Sequence, residues 1–220
     1  MKITKELLKE KGACADGYRD FLKEYPVDKY PDGVEYQELL DCCAEKNFSY
    51  GSWLLGAFGK TVEVRKIEGD LIVEEGIIFA GQLEVKGCIK AGLGIKAGLG
   101  IEAGDGIEAG LGIKAGCGIN AGWGINAGNG IEAGGGIEVG CGIKACYGIK
   151  ACDGIKARYG IEAGWGIEAG DGIEAGCEYG IYAGLRCRIT NKTQRKIIAK
   201  KRPENIMCGE FEENKDDAVR

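Results

Sequence analysis

The residues able to do chemistry in this chain are unevenly chosen. There are 11 Cys and no His. Thiols act as nucleophiles or soft metal ligands, yet no CxxC pair occurs, and the adjacent Cys42 and Cys43 fall in a stretch expected to be helical. Without His, general acid–base work has no usual carrier, and no G-x-x-x-x-G-K-[ST] loop is present to hold phosphates. The many Gly-x-Gly triplets suggest a dinucleotide loop, but they recur every six residues with no strand–loop–helix context. The expectation is therefore no catalytic residue, no metal site and no cofactor. An odd number of cysteines without a secretion signal suggests thiols kept reduced in a cytoplasm.

Two other groups have the chemistry for contacts. Arg186, Arg188, Lys192, Arg195, Lys196, Lys200, Lys201 and Arg202 form a basic run without an acid, followed by the acidic GEFEENKDD. Such a run can meet phosphates or an acidic partner, and a charged terminal coil also blocks end-to-end stacking. Nucleic acid is the less favoured partner, because the net charge of the chain is -5. The aromatic residues Trp123, Tyr147, Tyr159 and Trp165 are the second group, and their meaning depends on the repeat that carries them.

That repeat is I-x-A-G-x-G. Isoleucine stands at every sixth position from Ile89 to Ile173, and Leu71, Ile77 and Leu83 extend the register backwards. Residues i and i+2 of a strand share a face, so Ile and Ala point inward and the Lys, Glu or Asn between them points out. Strands of three residues, all with one pattern, leave no room for hairpins. They fit a parallel solenoid in which three hexads make a triangular coil of about 18 residues. Its corner glycines supply positive φ or close backbone approach. Six coils from Leu71 to about Gly176 would make a rod roughly 30 Å long at about 4.8 Å per strand. The 40 Gly and 45% hydrophobic residues in strict period suit this ordered repeat better than disorder.

An 18-residue coil aligns the outward residues in columns. They are Lys90, Glu108, Asn126, Lys144 and Glu162; Lys96, Lys114, Glu132, Lys150 and Glu168; and Glu102, Asn120, Glu138, Lys156 and Glu174. Neighbouring opposite charges predict exposed ion-pair ladders. The corner columns are Leu93, Leu111, Asn129, Tyr147, Trp165; Asp105, Trp123, Cys141, Tyr159, Cys177; and Leu99, Cys117, Gly135, Asp153, Asp171. Trp cannot fit within a triangle filled by Ile and Ala, so Trp123, Tyr147, Tyr159 and Trp165 are expected on two outer edges, stacking within a column or meeting a partner. Cys146, Cys152 and Arg158 replace the glycine after alanine at all three corners of one coil.

Residues 1–60 read as a helical head, 61–189 as the parallel β-helix, and 190–220 as a C-terminal cap and charged tail. Thr4 is a candidate N-cap and Gly12 a stop; Tyr18, Phe21, Leu22 and Tyr25 lie at helical spacing; Tyr36 to Asn47 and Ser52 to Phe58 continue the module of three or four helices. Covering the open first coil is one role for it, and binding a partner is the other. No membrane segment is expected.

From Leu71 to Ile189 the I-x-A-G-x-G phrase resembles three kinds of hexapeptide solenoid. Hexapeptide acyltransferases share the prism but place the small residue before the aliphatic one and use a catalytic His. Bactofilin-like cytoskeletal proteins have irregular coils similar to TVEVRKIEGDLIVEEG, though with disordered tails in place of a helical head. The whole chain most resembles phage and prophage proteins in which a head like KITKELLKEKGACADGYRDFL precedes a glycine-rich hexad solenoid. That resemblance implies a binding protein in the bacterial cytoplasm, an inhibitor of a host or defence complex of the nucleic-acid-processing or anti-CRISPR-like kind; the residues themselves suggest that it is non-catalytic, and the aromatic edge suggests a homodimer. The alternative is a self-assembling scaffold of bactofilin type.

Overall fold

A computed structural model describes residues 1–46, 49–176, 179–184 and 195–214. It is a mainly β parallel solenoid of about eight coils with four N-terminal helices. Strands pair in parallel with the strand 18 residues away, Ile on Ile and Ala on Ala, as in Ile107–Ala109 with Ile89–Ala91 and with Ile125–Ala127. Three sheets result, of eight, eight and seven strands. Face I carries the strands that begin at Leu71 and Ile89, face II those at Ile77 and Ile95, and face III those at Gln82 and Ile101.

The interior is one continuous apolar column. Each Ile and Ala of the regular strands is buried, while the residue between them is mostly exposed. At about 1.5–3 kcal/mol per buried isoleucine, this column supplies the main force holding the coils together. Side chains alternate because strand geometry alternates them, so the pattern of the sequence is converted directly into core and surface.

The rod is longer than six coils. At the start, Val64–Ile67 pairs with Gln82–Val85 on face III. At the far end, Lys196–Ala199 and Glu210–Glu213 extend face II, and Ile206–Cys208 extends face I. These segments lack the glycine hexad, but Ile67, Ile197, Ala199 and Phe211 still reach the core. Burial of alternating apolar residues, and not the glycine phrase, is sufficient to add a strand. Eight strands span roughly 34 Å at about 4.8 Å each. Between Ile161 and Ile181 the coil gains two residues, and pairing nevertheless resumes Ile on Ile.

The head is built from α1 (Lys5–Glu10), α2 (Ala15–Glu24), α3 (Tyr36–Glu45) and α4 (Gly51–Phe58). Thr4 caps α1 by accepting from the Leu7 N–H at 3.2 Å, and Gly12 follows its end at φ 75°. A two-stranded antiparallel pair, β1 (Lys2–Ile3) with β2 (Val34–Glu35), adds a small sheet to the helical head. The head packs against the side of the first coil: its core includes Ile78, the outward residue of a face II strand, and Ala80. The Gln37 side-chain amide fixes this docking, donating to the Ile78 carbonyl at 2.7 Å and accepting from the Ala80 N–H at 3.1 Å. The first coil's core is covered instead by Arg65, which takes an inward position opposite Leu83, lies 4.7 Å over the Phe79 ring and reaches Asp41 of α3 at 3.6 Å.

Candidate functional site

The corners decide what the rod presents. Among the described glycines, only Gly12, Gly33, Gly59, Gly184 and Gly209 have positive φ, so the repeat corners use glycine for close approach. A Cβ on Gly110 would fall on the carbonyl oxygen of Gly92, one coil earlier, and 3.0 Å from its carbon. A Cβ on Gly112 would lie 3.1 Å from the Gly130 oxygen, one coil later. The residue between the two glycines is free to vary because its side chain points away from the rod, while its N–H still bonds to the previous coil, as from Leu111 to Leu93 at 3.2 Å.

Both aromatic columns thus stand on a rigid base. At the corner between faces I and II, Tyr147 and Trp165 stack with centroids 4.6 Å apart and planes 21° apart. At the corner between faces III and I, Tyr159 stacks on Tyr179 at 4.6 Å and 28°. Sequence reasoning missed Tyr179, because counting 18 from Tyr159 lands on Cys177, which lies outside the described residues. Pairing Ile161 with Ile181 gives the right answer, since the longer coil moves the corner by two. Trp123 is on the same column between Asp105 and Cys141 and is 65% exposed, against 41% for the stacked Trp165. The third corner, with Leu99, Cys117, Gly135, Asp153 and Asp171, has no aromatic residue. Face I is therefore bordered by both aromatic corners.

The outward columns form the ladders their charges predict. Lys90 reaches Glu108 at 3.1 Å and Lys144 reaches Glu162 at 3.2 Å on face I; Lys114–Glu132 at 2.8 Å and Lys150–Glu168 at 2.9 Å do so on face II; Lys156 reaches Glu174 at 3.8 Å on face III. Bonding to Glu168, its largest influence, raises the pKa of the Lys150 ammonium. At Cys146, Cys152 and Arg158 the corner N–H bonds to the previous coil measure 3.2, 3.1 and 3.3 Å, against 2.9, 3.0 and 3.0 Å for Gly128, Gly134 and Gly140 below them. That coil thus accommodates a Cβ at all three corners while keeping these bonds.

Among the described residues of the basic run, three are ion-paired within the chain. Arg195 pairs with Glu210, Lys196 with Glu212, and Lys200 with Asp171 at 3.0 Å. Arg202 lies 5.8 Å over the Phe211 ring, and Lys201 is exposed. Arg186, Arg188 and Lys192 lie outside the described residues. The acidic tail strand and the basic strand are adjacent, so they neutralise one another. Among the described residues no cluster of metal-ligand type is found and no helix is long and apolar enough to cross a membrane. Comparison of the chain with family models, curated proteins and solved structures returns no match.

Proposed function

We propose that this protein is a non-catalytic binding protein that presents a rigid rod to a macromolecular partner, and that it inhibits a host or defence complex in the manner of phage-encoded inhibitors acting in a bacterial cytoplasm. One observation carries the reading: Trp123, Tyr147, Tyr159 and Trp165 are exposed on two corners of a rod whose backbone is bonded coil to coil. Large aromatic side chains on a preorganised backbone gain contact area at little entropic cost. The complex bound would be one that processes nucleic acid, of the kind anti-CRISPR proteins inhibit, and a protein surface is favoured over nucleic acid because most of the described basic residues are already paired. The test is capture of a bacterial complex from lysate and inhibition of its activity, comparing wild type with Trp123→Ser/Trp165→Ser. Equal capture and inhibition by the double variant would remove the aromatic corners from the reading; no inhibition by wild type would remove the reading itself.

The second reading is a self-assembling scaffold, favoured by the exposed Val62, Val64 and Met207 near the two ends of the rod. It predicts filaments that lengthen with concentration, visible by negative-stain imaging, where an inhibitor stops at a discrete species. Arg65 in the first coil opposes it, because stacking another coil there would bury a guanidinium.

A further inference from the structure

Face I has a property the other two faces lack. Its central column reads Lys90, Glu108, Asn126, Lys144, Glu162. Read backwards, every charge is replaced by its opposite and Asn126 stays in the middle. The next strands outward add an exposed Ile72 at one end and Tyr182 at the other. We propose that face I packs on face I of a second copy in an antiparallel homodimer whose two-fold axis runs along the strand Ile125–Ala127.

That axis reverses the rod and preserves the strand direction. It sets Lys90 against the second copy's Glu162, Glu108 against its Lys144, Asn126 against its Asn126, and Ile72 against its Tyr182. Each Lys then lies between the Glu of its own chain and a Glu of the other, a checkerboard in which the half-exposed side chains of the monomer are covered without leaving a charge unpaired. A parallel arrangement about the rod axis would place like on like at every charged position, so the charges select the antiparallel one. Face II fails the same test, because reversal about Glu132 sets Lys114 against Lys150, and the head already covers Ile78. Face III fails because reversal about Asn120 sets Glu102 against Glu138.

The corners agree independently of the charges. At the corner between faces I and II, the operation brings Leu111 to the second copy's Tyr147 and Leu93 to its Trp165, while Asn129 meets Asn129. At the other corner Trp123 meets Trp123. The bulky Tyr159 and Tyr179 come over Gly87 and Gly69, which occupy the matching corner positions and offer no side chain. Leucine thus meets an aromatic ring at one corner, and at the other the two tyrosines meet glycines, Trp123 meets its own copy and Asp105 meets the second copy's Cys141.

Access is open. The hollow over face I is lined by solenoid residues alone, whereas the one over face II includes Cys43 and Ala44 of the head. Seven strands at about 4.8 Å, and a side about 16 Å wide at about 3.3 Å per residue, give roughly 900–1,000 Å² for both copies. That is near the lower limit of specific interfaces, so the dimer is reversible.

The inference rests on the aromatic corners being contact edges, as under the proposed function, and its test separates the two. Sedimentation of the full chain is measured from sub-micromolar to hundreds of micromolar for wild type, Lys144→Glu, and Glu108→Lys/Lys144→Glu. Wild type is expected to dimerise. Lys144→Glu creates two Glu–Glu contacts across the axis and should weaken the dimer at least about tenfold. The double variant destroys both ion pairs within each chain yet restores opposite charges across the interface, so its dimer constant should return to the wild-type range. A wild type monomeric throughout, an unaffected Lys144→Glu, or a double variant as weak as the single one would each overturn the dimer. None of these touches capture of a foreign partner, and absence of a foreign partner leaves the dimer standing.

Discussion

The corner geometry predicts two glycine-to-alanine changes, two residues apart, with different outcomes. In Gly110→Ala the new Cβ lands on the Gly92 oxygen, so the corner must move away from the preceding coil. The bonds that resist are Gly110 N–H to Ala91 at 3.0 Å and Leu111 N–H to Leu93 at 3.2 Å. Weakening two backbone hydrogen bonds costs about 0.5–1.5 kcal/mol each. Against this, alanine reduces the freedom of the unfolded chain and returns about 0.4–1 kcal/mol. The expected net loss is about 0–2.6 kcal/mol, centred on about 1.3 kcal/mol, and it is kept from being larger because the coil of Cys146, Cys152 and Arg158 accommodates a Cβ with its corner bonds at 3.2, 3.1 and 3.3 Å. In Gly112→Ala the Cβ stands 3.1 Å from the Gly130 oxygen, a tight contact that a small shift relieves, so the two contributions roughly cancel. Thermal unfolding followed by circular dichroism should show Gly110→Ala melting roughly 3–5 °C below wild type. Gly112→Ala should melt close to wild type. A Gly110→Ala protein as stable as wild type, or a Gly112→Ala protein equally damaged, would refute the account of the corners.

Other expectations follow from the core, the head and the first coil. Ile125→Ala removes a buried side chain from mid-rod and should cost about 2–5 kcal/mol in chemical denaturation; a loss below that range would mean the coils collapse around the gap. Arg65→Val leaves the first coil apolar, and should raise concentration-dependent association seen by light scattering; no change would mean Arg65 does not guard that end. Burial, with a smaller contribution from Cys42, pushes the Cys43 thiol from its ordinary 9.0 to about 12, and burial pushes Tyr36 from 10.0 to about 12. Both are neutral in the fold and ionise more easily when unfolded, so their stabilisation is whole below pH 9 and is lost as the pH rises towards 12. Near-ultraviolet dichroism should show the head loosening across that window, and Cys43→Ala should move the onset upward by removing the earlier of the two titrations. An unchanged onset would sink this assignment.

The coil, its three faces and the ion-pair ladders were legible in the sequence because each depends on one short-range rule repeated many times. Ile, x and Ala alternate with the period of a strand, and a constant hexad fixes which residues stack. What was not legible lies where the phrase stops. The count of six coils missed strands such as Lys196–Ala199, whose apolar alternation lacks the glycines used as the marker. The stacking of Tyr179 on Tyr159 was hidden by a coil two residues longer than its neighbours. The lateral seat of the head was hidden because Gln37 and Ile78 are far apart in sequence and nothing local pairs them.

The sequence by itself determined the cross-section of this protein: local periodicity dictates inside and outside, and glycine marks where the chain must turn. Only the tertiary structure decided that glycine is there for close approach of neighbouring coils, that Tyr179 joins Tyr159 on its corner, and that the head seats on face II and not on face I. Those are relations between coils, set by the backbone packing of residues 18 or more positions apart, and no single repeat contains them.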